Sequence, residues 1–284
     1  METRILDGRA VAAMVREQLK DAVRRESVGE SVPGLAVVLV GHDPASEIYV
    51  RQKRKAAEAI GMQSWEYRLE ETTSTDEVVA LVHELNQRRD VHGILVQLPL
   101  PAHIGRDQVI EAIDPRKDVD GLTRTNQGAL VQNRPGLRPC TPSGILLLLR
   151  HFEVPLEGQR VVVIGRSLLV GLPLSLMLMQ DNATVTVVHS HSPSPARIAR
   201  DADLVVAAAG RPRLVTREWI KPGAVVVDVG IHRLPDGLCG DVAAEQMAGH
   251  AGALTPVPGG VGPMTIAALL ANTWQAYRGL AMGS

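Results

Sequence analysis

Short runs of branched aliphatic residues, spaced apart by helix-length amphipathic stretches, constrain this chain more than any other feature. Leu35-Ala-Val-Val-Leu-Val40, Gly93-Ile-Leu-Val-Gln97, Arg160-Val-Val-Val-Ile164, Leu204–Ala209 and Ala224–Val229 lack the in-and-out alternation of a half-exposed strand. They read as strands covered on both faces, the condition of a parallel sheet flanked by helices. Helical patterns fall between them at Gly8–Glu26, Pro44–Ile60, Thr75–Arg88 and Gly171–Gln180, and again from Pro263 to about Arg278. Thr184–His189 supplies a further strand. The prediction is an α/β fold assembled from βαβ units.

The 284 residues suffice for two domains. Between Asp114 and Pro142 the chain turns rich in Pro, Gly, Asn and Asp without sustained periodicity, which marks the approach to a boundary. Thr141-Pro142 then restarts a helix, with Thr141 as its expected N-cap. The expected domains are residues 1–140, completed by a C-terminal helix at about 264–284, and residues 141–263, a Rossmann-type array. A net charge of −1 with interspersed signs offers no basic stripe for nucleic acid. No apolar stretch is long enough to span a bilayer and no leader pattern opens the chain, so no membrane partner is expected. Cys140 and Cys239 form neither a CxxC nor a metal pattern, which fits a reduced cytoplasmic setting and no metal site.

Three segments carry chemistry. On the helix Ala45–Ile60, Glu47, Arg51, Arg54 and Glu58 form a charged stripe expected to face solvent. Tyr49, Lys53, Ala56 and Ile60 form a less polar stripe. Lys53 on that stripe is either an ordinary lysine or a partly desolvated one able to exchange a proton near neutral pH. Gln97 ends a buried strand, where open α/β sheets bind ligands, although capping of the next loop would also account for it. Asp118-Val-Asp120-Gly121 reads as a turn at Asp118.

Gly165-Arg-Ser-Leu-Leu-Val-Gly171 follows a strand and opens a helix, the setting of a dinucleotide phosphate loop, yet G-x-G-x-x-G is absent and a plain βα turn fits equally. The next strand ends in His189-Ser-His-Ser192 without an acid. A carboxylate there would repel a 2′-phosphate, whereas Arg166, Ser190 and His191 could bind one, so NADP is expected over NAD. His189 reads as a loop residue. Finally, Thr255-Pro-Val-Pro-Gly-Gly-Val-Gly-Pro-Met-Thr265 packs three prolines and three glycines into eleven residues, defining one irregular backbone path before a helix.

Tyr49-Val-Arg-Gln-Lys53, Val96-Gln-Leu-Pro-Leu-Pro101, Asp118-Val-Asp-Gly121, Pro139-Cys-Thr-Pro142, Gly165–Gly171 and Thr255–Thr265 occur together in one order and spacing. Over essentially its whole length the chain resembles the bifunctional methylenetetrahydrofolate dehydrogenase/methenyltetrahydrofolate cyclohydrolase (FolD) family. The resemblance implies two α/β domains with folate in the cleft, a homodimer, and tetrahydrofolate derivatives as substrates. It assigns the folate site to Tyr49, Val50, Arg51, Gln52, Lys53, Val96, Gln97, Leu98 and Asp120, together with Pro258, Gly259, Gly260, Val261, Gly262, Pro263, Met264, Thr265 and Ile266. NADP falls to Gly165, Arg166, Ser167, Ser190 and Ile231. Lys53, Tyr49, Gln97 and Asp120 are the expected catalytic group. Some members lack cyclohydrolase activity and some use NAD, so a monofunctional dehydrogenase and a non-catalytic folate or nucleotide binder are the competing expectations.

Overall fold

The computed structural model describes residues 2–27, 31–235 and 237–281. In chain order the elements are β1 (Arg4–Ile5), α1 (Gly8–Glu26), β2 (Gly34–Val40), α2 (Pro44–Ala59), β3 (Gln63–Leu69), α3 (Thr75–Gln87), β4 (Gly93–Val96), α4 (Arg106–Glu111), α5 (Arg124–Val131) and α6 (Cys140–His151). They continue with β5 (Arg160–Ile164), α7 (Gly171–Gln180), β6 (Thr184–Val188), α8 (Pro195–Ala199), β7 (Leu204–Ala207), β8 (Val225–Asp228), β9 (His232–Leu234), β10 (Gly237–Cys239), β11 (Ala253–Leu254) and α9 (Val261–Ala281). The chain divides into two compact units, Met14–Cys140 with Ile266–Ser284, and Met1–Ala13 with Thr141–Thr265.

The first is a small-sheet unit of order β3-β2-β4, parallel throughout. All seven residues of β2 are buried, and they serve two cores in alternation. Leu35, Val37 and Leu39 pack with Val50, Ala57, Ile60, Leu269 and Tyr277. Ala36, Val38 and Val40 pack with Val78, Val82, Leu85 and Val109. That is why β2 reads as a continuous apolar run: neither face meets water.

Edge strand β3 escaped the sequence reading because Gln63-Ser-Trp-Glu-Tyr-Arg-Leu69 is mostly polar. Its polar side chains engage the stripe of α2 expected to be merely solvated. Arg54 Nη1 donates to Glu66 Oε2 at 2.6 Å, Arg68 Nη1 donates to Glu47 Oε1 at 3.2 Å, and Arg68 Nε also reaches Glu66. Glu66 is largely covered, so this part of the stripe ties α2 to the sheet edge, while Arg51 remains exposed.

The segment 114–142 is more ordered than its composition predicts. Lys117 is buried, and its ammonium donates to three carbonyls at the C-terminal end of α3: Asn86 at 2.8 Å, Arg88 at 2.7 Å and Leu85 at 3.4 Å. Those are the carbonyls a helix leaves without partners. Asp118, 1% exposed, accepts from Leu122 N, Thr123 N, Thr123 Oγ1 and Asn126 Nδ2, at 2.8–3.1 Å. The turn expected at Asp118 is therefore also the start of α5. Helix α6 begins at Cys140, which places Thr141 inside the first turn rather than at the N-cap; its hydroxyl lies 3.1 Å from that of Thr265.

The second is a large-sheet unit of order β1-β11-β8-β7-β5-β6, all parallel. Read from β6 to β11 this is the doubly wound order 2-1-3-4-5, with its switch point between β5 and β7. The first thirteen residues group here, not with residues 14–140 as expected, because Arg4 and Ile5 pair with Ala253 and Leu254. A two-residue strand leaves no periodic signal. The hairpin β9–β10 was missed for the same reason. The C-terminal residues from Ile266 group with the small-sheet unit.

Replacing Lys117 with Met removes the donor to three carbonyls at the end of α3. Urea unfolding of K117M is expected to show a loss on the order of 2–3 kcal/mol.

Candidate active site

In the small-sheet unit, Asp43 caps α2 by accepting from Ser46 N at 2.8 Å, and Pro44 occupies the first turn. This sets the helix phase. Val50 and Ala57 then point into the core, while Tyr49 and Lys53, one turn apart, are half-buried. Lys53 Nζ donates to Gln97 Oε1 at 3.0 Å. Gln97 continues the β4 ladder by donating its backbone N–H to Val38 O at 2.8 Å, and its Nε2 donates to Leu98 O at 2.6 Å. With the amide nitrogen committed to that carbonyl, the oxygen faces the lysine.

Asp120 completes the group. Burial pushes its carboxyl above the usual range, Lys53 pulls it back and buried Asp118 pushes it up again. The preceding carbonyl, Val119 O, accepts from Asn272 Nδ2 at 2.8 Å and from Cys140 Sγ at 3.1 Å. Burial, then the charge of Asp120, raises the Cys140 thiol well above its ordinary pKa, so it serves as a neutral donor and not a nucleophile. Burial also raises the Tyr49 hydroxyl, leaving it a protonated donor at neutral pH. Sequence reasoning missed Asn272; its signal was an amide directly after the apolar run Ile266–Ala271 of α9. Among the other expected folate residues of this unit, Val50, Val96 and Ile266 are core positions, Arg51 and Gln52 are exposed, and Leu98 is half-exposed.

In the large-sheet unit, Gly165 has φ +118°, and a Cβ there would lie 2.1 Å from Ala208 O. A Cβ at Gly171 would lie 2.2 Å from Gly165 O. The turn therefore has to be glycine at both positions, which brings backbone N–H groups to the start of α7 where a phosphate can approach. Arg166 and Ser167 are exposed beside it, and Ser190 is exposed after β6. Partial burial, then the nearby charges of Arg166 and His191, hold His189 below the usual imidazole range. His189 Nδ1 accepts from His191 N at 3.2 Å, a loop role as the sequence predicts. The glycine cradle and the acid-free 189–192 loop fit a dinucleotide with a 2′-phosphate.

The run 255–265 follows a pinned path. Arg9 N donates to Gly259 O at 3.0 Å, Asp228 N donates to Thr255 Oγ1 at 2.7 Å, and the Val257–Pro258 peptide is cis. Gly259 has φ +116°, and a Cβ at Gly8 would fall 1.8 Å from Gly260 O. Ile231 is exposed just beyond β8. At the end of β8, burial and neighbouring Asp241 raise Asp228 from 3.8 to about 6, partly offset by three backbone donors.

A parallel sheet of this order with a glycine turn at its switch point has the layout of a nucleotide-binding α/β domain. Residues 139–280 match the family model of the tetrahydrofolate dehydrogenase/cyclohydrolase NAD(P)-binding domain, and residues 6–120 match that of the catalytic domain. The chain belongs to the tetrahydrofolate dehydrogenase/cyclohydrolase family. It is 53% identical over 271 residues to the bifunctional protein FolD of Magnetococcus marinus, covering 95% of each chain. The structure of the bifunctional FolD enzyme from Campylobacter jejuni superposes with a TM-score of 0.95 at 44% identity, over 98% of this chain and 99% of that one. The Trypanosoma brucei dehydrogenase-cyclohydrolase, solved with NADP and an inhibitor, gives 0.93 at 41% identity, over 98% of each.

The carboxyl of Asp228 should titrate with a midpoint near 6 in carbon-13 NMR of the folded protein. Its folded pKa lies above the unfolded one, so above pH 6 the ionised group carries a cost on the order of 3 kcal/mol. That cost is relieved as pH falls through 6 and is gone below about 4.

Proposed function

We propose that this chain oxidises 5,10-methylenetetrahydrofolate to 5,10-methenyltetrahydrofolate with NADP and hydrolyses the product to 10-formyltetrahydrofolate, with Lys53 as the proton-transfer group of the second reaction. Membership of the family makes it a dehydrogenase and cyclohydrolase acting on folates in one-carbon metabolism. The observation that carries the residue assignment is the half-buried Lys53 ammonium held 3.0 Å from Gln97 Oε1.

NADP, when bound, supplies a nicotinamide that accepts a hydride from the methylene carbon. The cation left on the folate is delocalised over N5 and N10, so no side chain has to remove a proton in that step; orientation is the main requirement. Water addition and ring opening do need proton transfer. Lys53 is placed for it on a rigid helix, and Gln97 limits the directions in which its Nζ can point. Tyr49, a protonated phenol one turn earlier, packs along the substrate. Asp120 accepts from the pterin amino group and adjacent ring N–H, a two-donor match for one carboxylate. The backbone from Pro258 to Thr265 offers a surface that cannot flex.

Gly165, Arg166, Ser167, Ser190 and Ile231 form the NADP site in this reading, with Arg166 and Ser190 taking the 2′-phosphate. The division into a folate domain, completed by the C-terminal helix, and a Rossmann-type domain is part of the same proposal. So are homodimerisation, a cytoplasmic location and the lack of nucleic-acid or membrane partners, on the grounds of the resemblance and the net charge of −1. Among the described residues no helix is long and apolar enough to cross a membrane.

Lys53→Met should lower cyclohydrolase turnover at least about 100-fold, the scale of a lost acid-base group. Dehydrogenase activity should remain, so methenyltetrahydrofolate accumulates in the absorbance trace alongside NADPH; parallel loss of both activities would remove Lys53 from this role. Arg166→Ala should raise the KM for NADP by about tenfold relative to NAD, as expected for a lost charge-assisted contact. Equal effects on the two cofactors in steady-state assays would count against 2′-phosphate recognition.

A further inference from the structure

At the C-terminal edge of the large sheet lies a polar cluster that the two reactions leave unused: Asp228, Asp241 and His232. Asp241 is completely buried and Asp228 is 2% exposed. Asp241 Oδ2 accepts from Ala209 N at 2.6 Å and Gly210 N at 2.8 Å, and its Oδ1 lies 2.7 Å from His232 Nε2. Asp228 in turn accepts from Asp241 N at 2.8 Å, Gly230 N at 3.0 Å and Val242 N at 3.0 Å. The packing leaves no room for a side chain at Gly230 or Gly240. A Cβ at Gly240 would lie 1.9 Å from Asp228 Oδ2, and one at Gly230 would lie 2.3 Å from Asp241 Oδ1.

The donors already aimed at these carboxylates answer the obvious alternatives. Five backbone N–H groups and an imidazole point at four oxygens, so every oxygen already has a partner without a cation. Full burial of Asp241 keeps it from touching a substrate. Its connections, however, are to segments that border the cofactor crevice. Residues 209–210 leave β7 beside the switch point, where the preceding Ala208 O lies against Gly165. His232 directly follows Ile231, which is exposed just beyond β8.

We infer that Asp241 is a positioning residue for NADP: it holds the 208–210 loop and, through His232, the Ile231 side of the crevice in one arrangement, with Asp228 anchoring the Asp241 backbone. The inference rests on the reading of this edge as the NADP site. Without the Asp241 carboxylate, two buried N–H groups lose their acceptor, and the loop has to reorganise to reach water. An asparagine can keep much of the arrangement. Its Oδ1 would accept from residues 209–210 while its Nδ2 faces His232 Nε2, which accepts in one of the two ring tautomers.

The test is a fluorescence titration of NADPH with wild-type protein, D241A and D241N, alongside hydrolysis of methenyltetrahydrofolate, which consumes no NADP. D241A should weaken NADPH binding at least about tenfold, the equivalent of one or two hydrogen bonds, with hydrolysis within about twofold of wild type. D241N should recover binding to within about threefold of wild type. Unchanged binding in D241A, or parallel loss of binding and hydrolysis, would overturn the inference. If D241A does not fold, His232→Leu decides: binding weakened about three- to fivefold with hydrolysis retained supports it, and unchanged binding overturns it. Wild-type protein that fails to bind NADPH would instead overturn the cofactor reading beneath it.

Discussion

Both units depend on buried carboxylates that accept several N–H groups near the ends of parallel strands. Backbone donors in an irregular buried segment need acceptors, and a carboxylate offers more acceptor sites than any neutral side chain. Asp118 gathers Leu122, Thr123 and Asn126 between α4 and α5 and so starts α5. Asp228 and Asp241 gather the segments after β7 and β8. In each case the loops so ordered carry the residues proposed to act, Asp120 in one unit and the rim of the NADP site in the other.

Rigid surroundings also explain how a few ordinary side chains acquire defined roles. Lys53 is one of several basic residues on α2, and only its stripe brings it within reach of Gln97 while keeping it half-buried. Gln97 is constrained in turn by a ladder hydrogen bond and by Leu98 O. Asp120 sits on a peptide whose carbonyl is held by Cys140 and Asn272. Lys53, Gln97 and Asp120 are thus oriented by hydrogen-bonded neighbours, which is the condition for positioning a substrate closely.

The buried strands β2, β4, β5, β7 and β8 were legible because a strand covered on both faces leaves an unbroken apolar run, and α1, α2 and α3 because their amphipathic periodicity is sustained over several turns. Strands β1, β9, β10 and β11 are two or three residues each and leave no pattern. β3 hid behind polar residues whose partners lie on α2, a relation no local pattern records. Of the candidate site, Lys53, Tyr49, Gln97 and Arg166 were visible from helix phase and strand ends. Asn272, Cys140 as a donor, and the Asp228–Asp241 pair were not, because each acts on backbone far away in sequence; Asn272 and Val119 are 153 positions apart.

Sequence alone determined the α/β class, the parallel sheets, the glycine turn at Gly165 and the placement of Lys53 on the less polar stripe of its helix. These follow from residue type and spacing, which act locally. Only the tertiary structure decided that the first thirteen residues join the large-sheet unit, that the polar edge of β3 is paired with α2, and that buried carboxylates hold the functional loops. Those outcomes depend on which distant donors and acceptors meet once water is excluded, and the cost of leaving a buried polar group unpaired selects among them.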